Sequence, residues 1–362
     1  MSASGSVYEG NSTSDAVAKA RAQRADVSMS TFTADEASWQ GKSVVSVSQF
    51  SAEGLGLLFA VADRMREMVA DKTDDAVLSR NPPLRGRVLG TLFYENSTRT
   101  ACSFQAAMLR LGGTFVSVDA ASSSIKKGET LEDTIMCLLS YCDAVVLRHP
   151  AKGAARAAVG VARRPVVNAG DGTGEHPTQA LLDLYTIAAE AGGGAGLSGL
   201  RGKVVAMIGD LKHGRTVHSL SRLLAKFGCV LRYVSPASLR MPQYIQREVA
   251  SEAGDGGGGT KAQTEVEDFS SVVGEADVLY ATRIQKERFA SREEFEAVDG
   301  SYKITPDVMS KAKKSAVLMH PLPRVGEVAE ECDLDPRAAY FRQMENGMLV
   351  RMALLALLFG KA

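Results

Sequence analysis

From about Phe50 to the C-terminus, short apolar runs of β type alternate with amphipathic helical stretches, and that alternation leaves few folds open. A helical pattern at 53–70 precedes a β-type run at 87–94. Helix 99–111, strand 114–118, helix 130–141, strand 144–147, a helix near 152–162 and strand 165–168 follow. A long helical stretch then begins at Thr178 and ends near Ala191. The second series runs through strand 204–208, helix 216–227, strand 230–234, a helix near 241–252, and strands 278–281 and 316–319. Repeated βα units of this kind predict mostly parallel sheets covered by helices on both faces. The glycine-rich stretches at 192–202 and 254–259 read as a surface loop and an insertion on a loop tip. The fold class expected is α/β, with two doubly wound parallel-sheet domains joined by the long helix. The last helical stretch, 339–359, is strongly apolar (Met344, Met348, Leu349, Met352, Leu355, Leu358, Phe359) and needs a buried groove, which the first domain can supply. The domain boundaries expected are a flexible extension at 1–40, a first domain at 41–185 completed by 339–362, and a second at 186–338.

Composition narrows the partners. Lys plus Arg and Asp plus Glu both number 42, so no net field draws the chain to nucleic acid or an anionic membrane. Local arginines must then serve small anions or ion pairs. The five cysteines form no CxxC pairing, which argues against a structural zinc site and fits a reducing compartment. Three of them fall among apolar helical residues and are expected to be buried free thiols. No run reaches the ~18 apolar residues of a membrane helix, and residues 1–40 have neither a signal-peptide core nor the acid-poor composition of a transit peptide. The location expected is the cytosol, with no membrane and no nucleic acid as partner.

The chemistry concentrates where strands end. FYENSTRT at 93–100 places Ser97, Thr98, Arg99 and Thr100 around a helix N-terminus, where unpaired backbone N–H groups and the dipole favour an anion. An ordinary helix cap would use the same hydroxyl residues. Repetition decides between the two. Arg148-His149-Pro150 follows one strand, and AGDGTGEHPTQAL, with His176 and Gln179 a turn apart, follows the next. GDLKHGRTVHSL, with Arg215 at another helix start, TRIQKER, with Arg283 and Gln285, and HPLPR at 320–324 follow strands of the second series. Open α/β sheets bind ligands at these carboxyl ends. Such a cleft suits a substrate with phosphate on one side and carboxylates on the other, both recognised by arginine. There is no P-loop, no metal-ligand cluster and no Ser–His–Asp arrangement, so catalysis would rest on positioning and electrostatic stabilisation, without metal or cofactor.

STRT, SSSIKKGET, LRHP, GDGTGEHPTQALLDLYT, GDLKHGRTVHSL, TRIQKERF and HPLPR occur in this order, and the set resembles the aspartate carbamoyltransferase catalytic chains, the eukaryotic ones most. The resemblance implies the carbamoyltransferase fold and the condensation of carbamoyl phosphate with L-aspartate to N-carbamoyl-L-aspartate and phosphate, early in pyrimidine synthesis. It further implies a carbamoyl phosphate-binding first domain and an aspartate-binding second one. Ser97, Thr98, Arg99 and Thr100, with Arg148, would bind phosphate. Thr100, Arg148 and His176 would polarise the carbamoyl carbonyl, and Gln179 with the carbonyls of Pro321 and Leu322 would hold its amide. Arg215, Arg283 and Gln285 would grip the aspartate carboxylates, with Thr216 nearby. Ser123 and Lys127 lie on a loop that the family extends into a neighbouring subunit's site, which implies a homotrimer with shared active sites. Glu95 would pair with Arg215 and Arg288 across the domains. The departing phosphate can accept the amine proton, so no general base is assigned. A carbamoyltransferase for another amine such as ornithine, or a non-catalytic regulatory homologue, are the alternatives. Arg283, Gln285 and Leu322 favour aspartate, and the ornithine enzymes typically read HCLPR where this chain has HPLPR.

Overall fold

The computed structural model describes residues 11–70, 82–119, 124–253, 262–284 and 302–362. Helices α1 (Asn11–Ser28) and α2 (Ala52–Ala70) precede β1 (Val88–Phe93), α3 (Thr98–Arg110), β2 (Thr114–Asp119), α4 (Leu131–Tyr141), β3 (Ala144–His149), α5 (Ala154–Val161), β4 (Val166–Asp171) and α6 (Pro177–Ala191). The second series is β5 (Val204–Ile208), α7 (Arg215–Lys226), β6 (Val230–Val234), α8 (Gln243–Glu252), β7 (Gln263–Val266), α9 (Ser270–Val273), β8 (Val278–Ala281), α10 (Pro306–Lys311), β9 (Val317–Met319) and α11 (Tyr340–Leu358). The two sheets are parallel, in the orders β2-β1-β3-β4 and β7-β6-β5-β8-β9. The α/β class and the two doubly wound sheets match the sequence reading.

The apolar runs become central strands because both faces are covered. In β3 the residues Ala144–Leu147 are buried without a break, as are all those of β8. The edge strand β7, with only half-buried and exposed residues, has no such run. Sequence reasoning missed it for that reason.

Helix α6 links the sheets, and α11 returns to pack on α2, α3 and α6. Leu349, Val350, Met352, Leu354, Leu355, Leu357 and Leu358 of α11 are buried, each worth about 1.5–3 kcal/mol against exposure. That burial supplies the groove its apolar surface demanded. Its buried polar residues are paired across the same groove: Arg66 donates to Asn346 Oδ1 at 2.6 Å, and Asn346 Nδ2 donates to Thr186 Oγ1 at 3.0 Å.

Of residues 1–40, expected from composition to be a flexible extension, those from Asn11 onward are described. Helix α1 packs on α5, and Phe32 and Trp39 are fully buried beside Phe50, with ring centroids 4.4 and 4.9 Å from Phe32. Glycine at position 54 admits this segment, because a Cβ there would sit 2.4 Å from the Phe32 carbonyl oxygen. Cys142, Cys229 and Cys332 are buried free thiols, whereas Cys102 and Cys137, both on helices, are exposed. No helix of the described residues is long and apolar enough to cross a membrane.

Candidate active site

Each sheet has one position where the strand order reverses, and the two face a common cavity of about 1170 Å³. In the first sheet the reversal lies between β1 and β3, where Phe93 sits opposite Arg148. The chain leaving β1 turns directly into α3, so Ser97–Thr100 stand beside Arg148 at that edge. In the second sheet it lies between β5 and β8, where Ile208 sits opposite Ala281. Arg215 at the start of α7 and Arg283 after β8 flank it. Among the described residues, the cavity is lined by Arg99, Arg110, Arg148, Arg215, Arg283 and Arg351 but only by Glu95, Asp210 and Glu345 among acids. Such an excess of arginine suits an anionic ligand with more than one negative group.

The arginines are not equivalent. Arg99 is exposed to the cavity on the first turn of α3, and its proton affinity is lowered by partial burial. Arg148 donates from Nη1 to the Ala169 carbonyl at 3.2 Å, and its Nε lies 3.3 Å from Glu95 Oε2. That Nε approach satisfies the distance of an ion pair but not the alignment of a hydrogen bond. Burial, with Arg215 nearby, brings the Arg148 pKa down to about 10. Arg215 donates to the Gly172 carbonyl at 2.7 Å and lies 3.8 Å from the same Glu95 oxygen. Glu95 thus ties the two reversal points together, as expected for Arg215. Its other expected partner, Arg288, lies outside the described residues. Gly170 lets the two guanidiniums approach. Its φ is +117°, and a Cβ would meet Arg215 Cζ at 3.0 Å and Arg148 Nη1 at 3.3 Å.

His176 caps α6 ahead of Pro177 and is buried. Burial first, then the charges of Arg148, Arg215 and Arg351, hold its pKa well below the ordinary value. It is therefore a neutral imidazole at neutral pH, able to donate one N–H to an oxygen. Gln179, one turn on, is buried and donates from Nε2 to Asp183 Oδ1 at 2.9 Å. Asp183 is fully buried, and burial raises its pKa to about 6.

The segment after β9 is held by its own histidine. His320 Nδ1 accepts the Leu322 N–H at 2.7 Å, so Nε2 carries the proton it gives to Glu327 Oε1, also at 2.7 Å. Leu322 is the one non-glycine residue with positive φ (56°) among the described residues, in a turn that lines the cavity together with Pro321.

Helix α7 carries a titrating counterpart. His218 donates from Nε2 to the Leu211 carbonyl at 2.7 Å, and burial lowers its pKa to about 4. Because the folded pKa lies below the ordinary ~6.5, the unfolded chain takes up this proton first, and stability is lost as pH falls from 6.5 toward 4. Asp183, with a raised pKa, works in the opposite direction, so the comparison must be between chains. Denaturant unfolding of the parent and of His218→Gln should differ by about 2 kcal/mol more at pH 7 than at pH 5, in favour of the parent at pH 7. An unchanged difference between the two pH values contradicts a neutral buried His218.

Of the residues singled out in the sequence, Ser97, Thr98, Arg99, Thr100, Arg148, His176, Gln179, Arg215, Thr216, Arg283, Pro321 and Leu322 line the one cavity. Lys127 does not. It is exposed on a 3₁₀ turn (Ser124–Lys127) and is not among the lining residues. Ser123 and Gln285 lie outside the described residues. Sequence reasoning missed Arg351, which enters from α11. It is buried, donates from Nη1 to Ser103 Oγ at 2.8 Å, and stacks 5.0 Å from the Phe104 ring. Its only signal was an arginine inside the apolar run 348–359.

Residues 42–189 match the family model described as "Aspartate/ornithine carbamoyltransferase, carbamoyl-P binding domain", and residues 201–358 match "Aspartate/ornithine carbamoyltransferase, Asp/Orn binding domain". The "Multifunctional protein pyr1-3" of Dictyostelium discoideum is 50% identical over 338 residues, 93% of this chain, while the chain spans 14% of that protein's length. The "Aspartate carbamoyltransferase catalytic subunit" of Thermoplasma acidophilum is 45% identical over 322 residues, covering 89% of this chain and 99% of that one. Aspartate transcarbamoylase from Trypanosoma cruzi, solved in complex with carbamoyl phosphate and aspartate, matches with a TM-score of 0.78 at 43% identity, covering 88% of this chain and 96% of that one. With both domain models matched in order and the ordered strand-end motifs converging on one cleft, the chain belongs to the aspartate/ornithine carbamoyltransferase family.

Proposed function

We propose that this chain transfers the carbamoyl group of carbamoyl phosphate to the amine of L-aspartate, giving N-carbamoyl-L-aspartate and phosphate in de novo pyrimidine biosynthesis. The observation that carries this reading is the placement of Arg99 and Arg148 at one strand reversal and Arg215 and Arg283 at the other, around one cavity. A phosphate held at one and a dicarboxylate at the other would bring amine and carbonyl together in the middle. In this reading residues 41–185 with 339–362 form the carbamoyl phosphate-binding domain and 186–338 the aspartate-binding domain.

The phosphate sits on Ser97, Thr98, Arg99 and Thr100 at the N-terminus of α3, with Arg148 beside it. The carbamoyl oxygen faces Thr100, Arg148 and neutral His176, donors that strengthen as the carbonyl becomes a tetrahedral oxyanion. Gln179 and the Pro321 and Leu322 carbonyls hold the amide. Arg215, Arg283 and Gln285 take the aspartate carboxylates, with Thr216 adjacent. The aspartate nitrogen attacks the carbonyl carbon, the C–O bond to phosphate breaks, and the departing phosphate takes the nitrogen's proton. No protein base is required.

Ser123 and Lys127 act on a neighbouring subunit's substrate in a homotrimer. Support comes from the exposure of Lys127 away from its own cavity, and from β2, whose residues are exposed or half-buried on both faces although parallel sheets are ordinarily covered. The unpaired thiols fit a cytosolic location.

Arg283→Ala separates the two halves of the site. The KM for aspartate should rise about 100-fold, while the Kd for carbamoyl phosphate changes less than about threefold. Equal losses for both substrates contradict the division of labour. Initial-rate kinetics in aspartate and calorimetric titration with carbamoyl phosphate read the two separately.

A further inference from the structure

One buried carboxylate, outside the cavity lining, joins three of the segments that surround the proposed carbamoyl site. Asp183 Oδ1 accepts N–H groups from Gln179 Nε2 at 2.9 Å and Gln343 Nε2 at 2.6 Å, and Oδ2 accepts the Tyr280 hydroxyl at 2.7 Å. Gln179 comes from α6, Tyr280 from β8 and Gln343 from α11. The orientation of Gln343 is fixed independently, because its Oε1 accepts the backbone N–H of His320 at 3.0 Å and a backbone amide can only donate. Its Nε2 therefore faces Asp183, and Oδ1 of that residue acts as an acceptor. Gln179 shares the same oxygen. Turned the other way, it would set its carbonyl oxygen against a carboxylate oxygen at hydrogen-bond distance, an acceptor facing an acceptor in a site without water's dielectric.

We infer that Asp183 is a specificity-determining positioning residue: by holding Gln179 Nε2, it presents Gln179 Oε1 to the cavity as an acceptor for an N–H of the carbamoyl group, so that the site selects an amide over a methyl. The inference rests on the carbamoyl-transfer reading above and deepens it. A cavity wall that offers a fixed acceptor gains from a carbamoyl NH₂ and loses from the methyl of an acetyl group, which leaves that acceptor unpaired. The discriminating probe is acetyl phosphate, which is close in shape and charge to carbamoyl phosphate but has methyl for NH₂. Its transfer breaks the same acyl C–O bond and forms the same C–N bond, giving N-acetylaspartate and phosphate with the amine proton on phosphate.

Asp183→Leu keeps a similar volume but removes both acceptor oxygens, so the Gln179 amide is free to turn. The ratio of kcat/KM for carbamoyl phosphate to that for acetyl phosphate, at saturating aspartate, should fall roughly 10- to 100-fold relative to the parent. A purely structural role lowers both donors alike and leaves the ratio unchanged, which overturns the inference. Tyr280→Phe perturbs the same carboxylate through the oxygen that Gln179 does not use, and should leave the ratio within about threefold of the parent. A collapse there also counts against the assignment. Should Asp183→Leu not fold, Gln179→Leu reads the same acceptor directly, and a ratio unchanged from the parent in it overturns the inference. A parent chain that transfers carbamoyl to aspartate while the variants keep its ratio defeats this inference alone. A parent chain with no transfer defeats the functional reading and this inference with it.

Discussion

Arg99→Ala is expected to lower kcat with carbamoyl phosphate and aspartate by about 10³-fold or more, while the chain stays folded. Arg148 spends part of its hydrogen-bonding capacity on the Ala169 carbonyl and part of its charge on Glu95. Arg99 has no ion pair or hydrogen bond among the described residues, and it stands on the first turn of α3 where backbone N–H groups already favour an anion. Charge builds on the phosphate as the C–O bond breaks, so the interaction grows toward the transition state and its loss appears in kcat as well as in KM. Removing an exposed guanidinium from a cluster of arginines should cost little stability, within about 0.5 kcal/mol. Thermal unfolding beside initial rates separates the two effects. Activity retained within tenfold of the parent sinks the phosphate assignment.

A second large effect concerns Lys127. Lys127→Ala should also be nearly inactive, although its side chain is exposed and lies outside the cavity of its own chain. Mixing it with Arg99→Ala, after reversible dissociation, should restore activity, because some sites then take Arg99 from one chain and Lys127 from its neighbour. Random assortment in a cyclic trimer leaves about one quarter of the sites intact, and that is the recovery expected from an equal mixture. No recovery in mixed trimers verified by mass contradicts shared sites. Recovery well above one quarter contradicts a single contributed lysine per site.

Much of this site was legible because its parts follow apolar strands, and polar residues stand out at the ends of such runs. Arg99, Arg148, His176, Arg215 and Arg283 could each be placed at the end of a strand or at the helix start that follows one. The chain's interior wiring was less visible. Asp183 lies one helical turn beyond Gln179 and could have been suspected from that spacing, but Tyr280 and Gln343 reach it from sequence positions far away. Helix α1 reads as flexible from the sequence because its Ala, Arg, Lys and Gln residues form no apolar stripe. Strand β7 escaped for the same physical reason at a sheet edge: partial exposure removes the selection for an unbroken apolar run. His320 and Glu327 show the converse. The HPLPR segment stood out by sequence, but the hydrogen bonds that shape it became visible only in three dimensions.

The central claim is tested most directly by phosphate release from carbamoyl phosphate with L-aspartate, with L-ornithine and with no acceptor. The account predicts rapid release with aspartate, matched by an equal amount of N-carbamoyl-L-aspartate, and only background release in the other two. Release driven by ornithine, or no acceptor-dependent release from a folded chain that still binds carbamoyl phosphate, would contradict it.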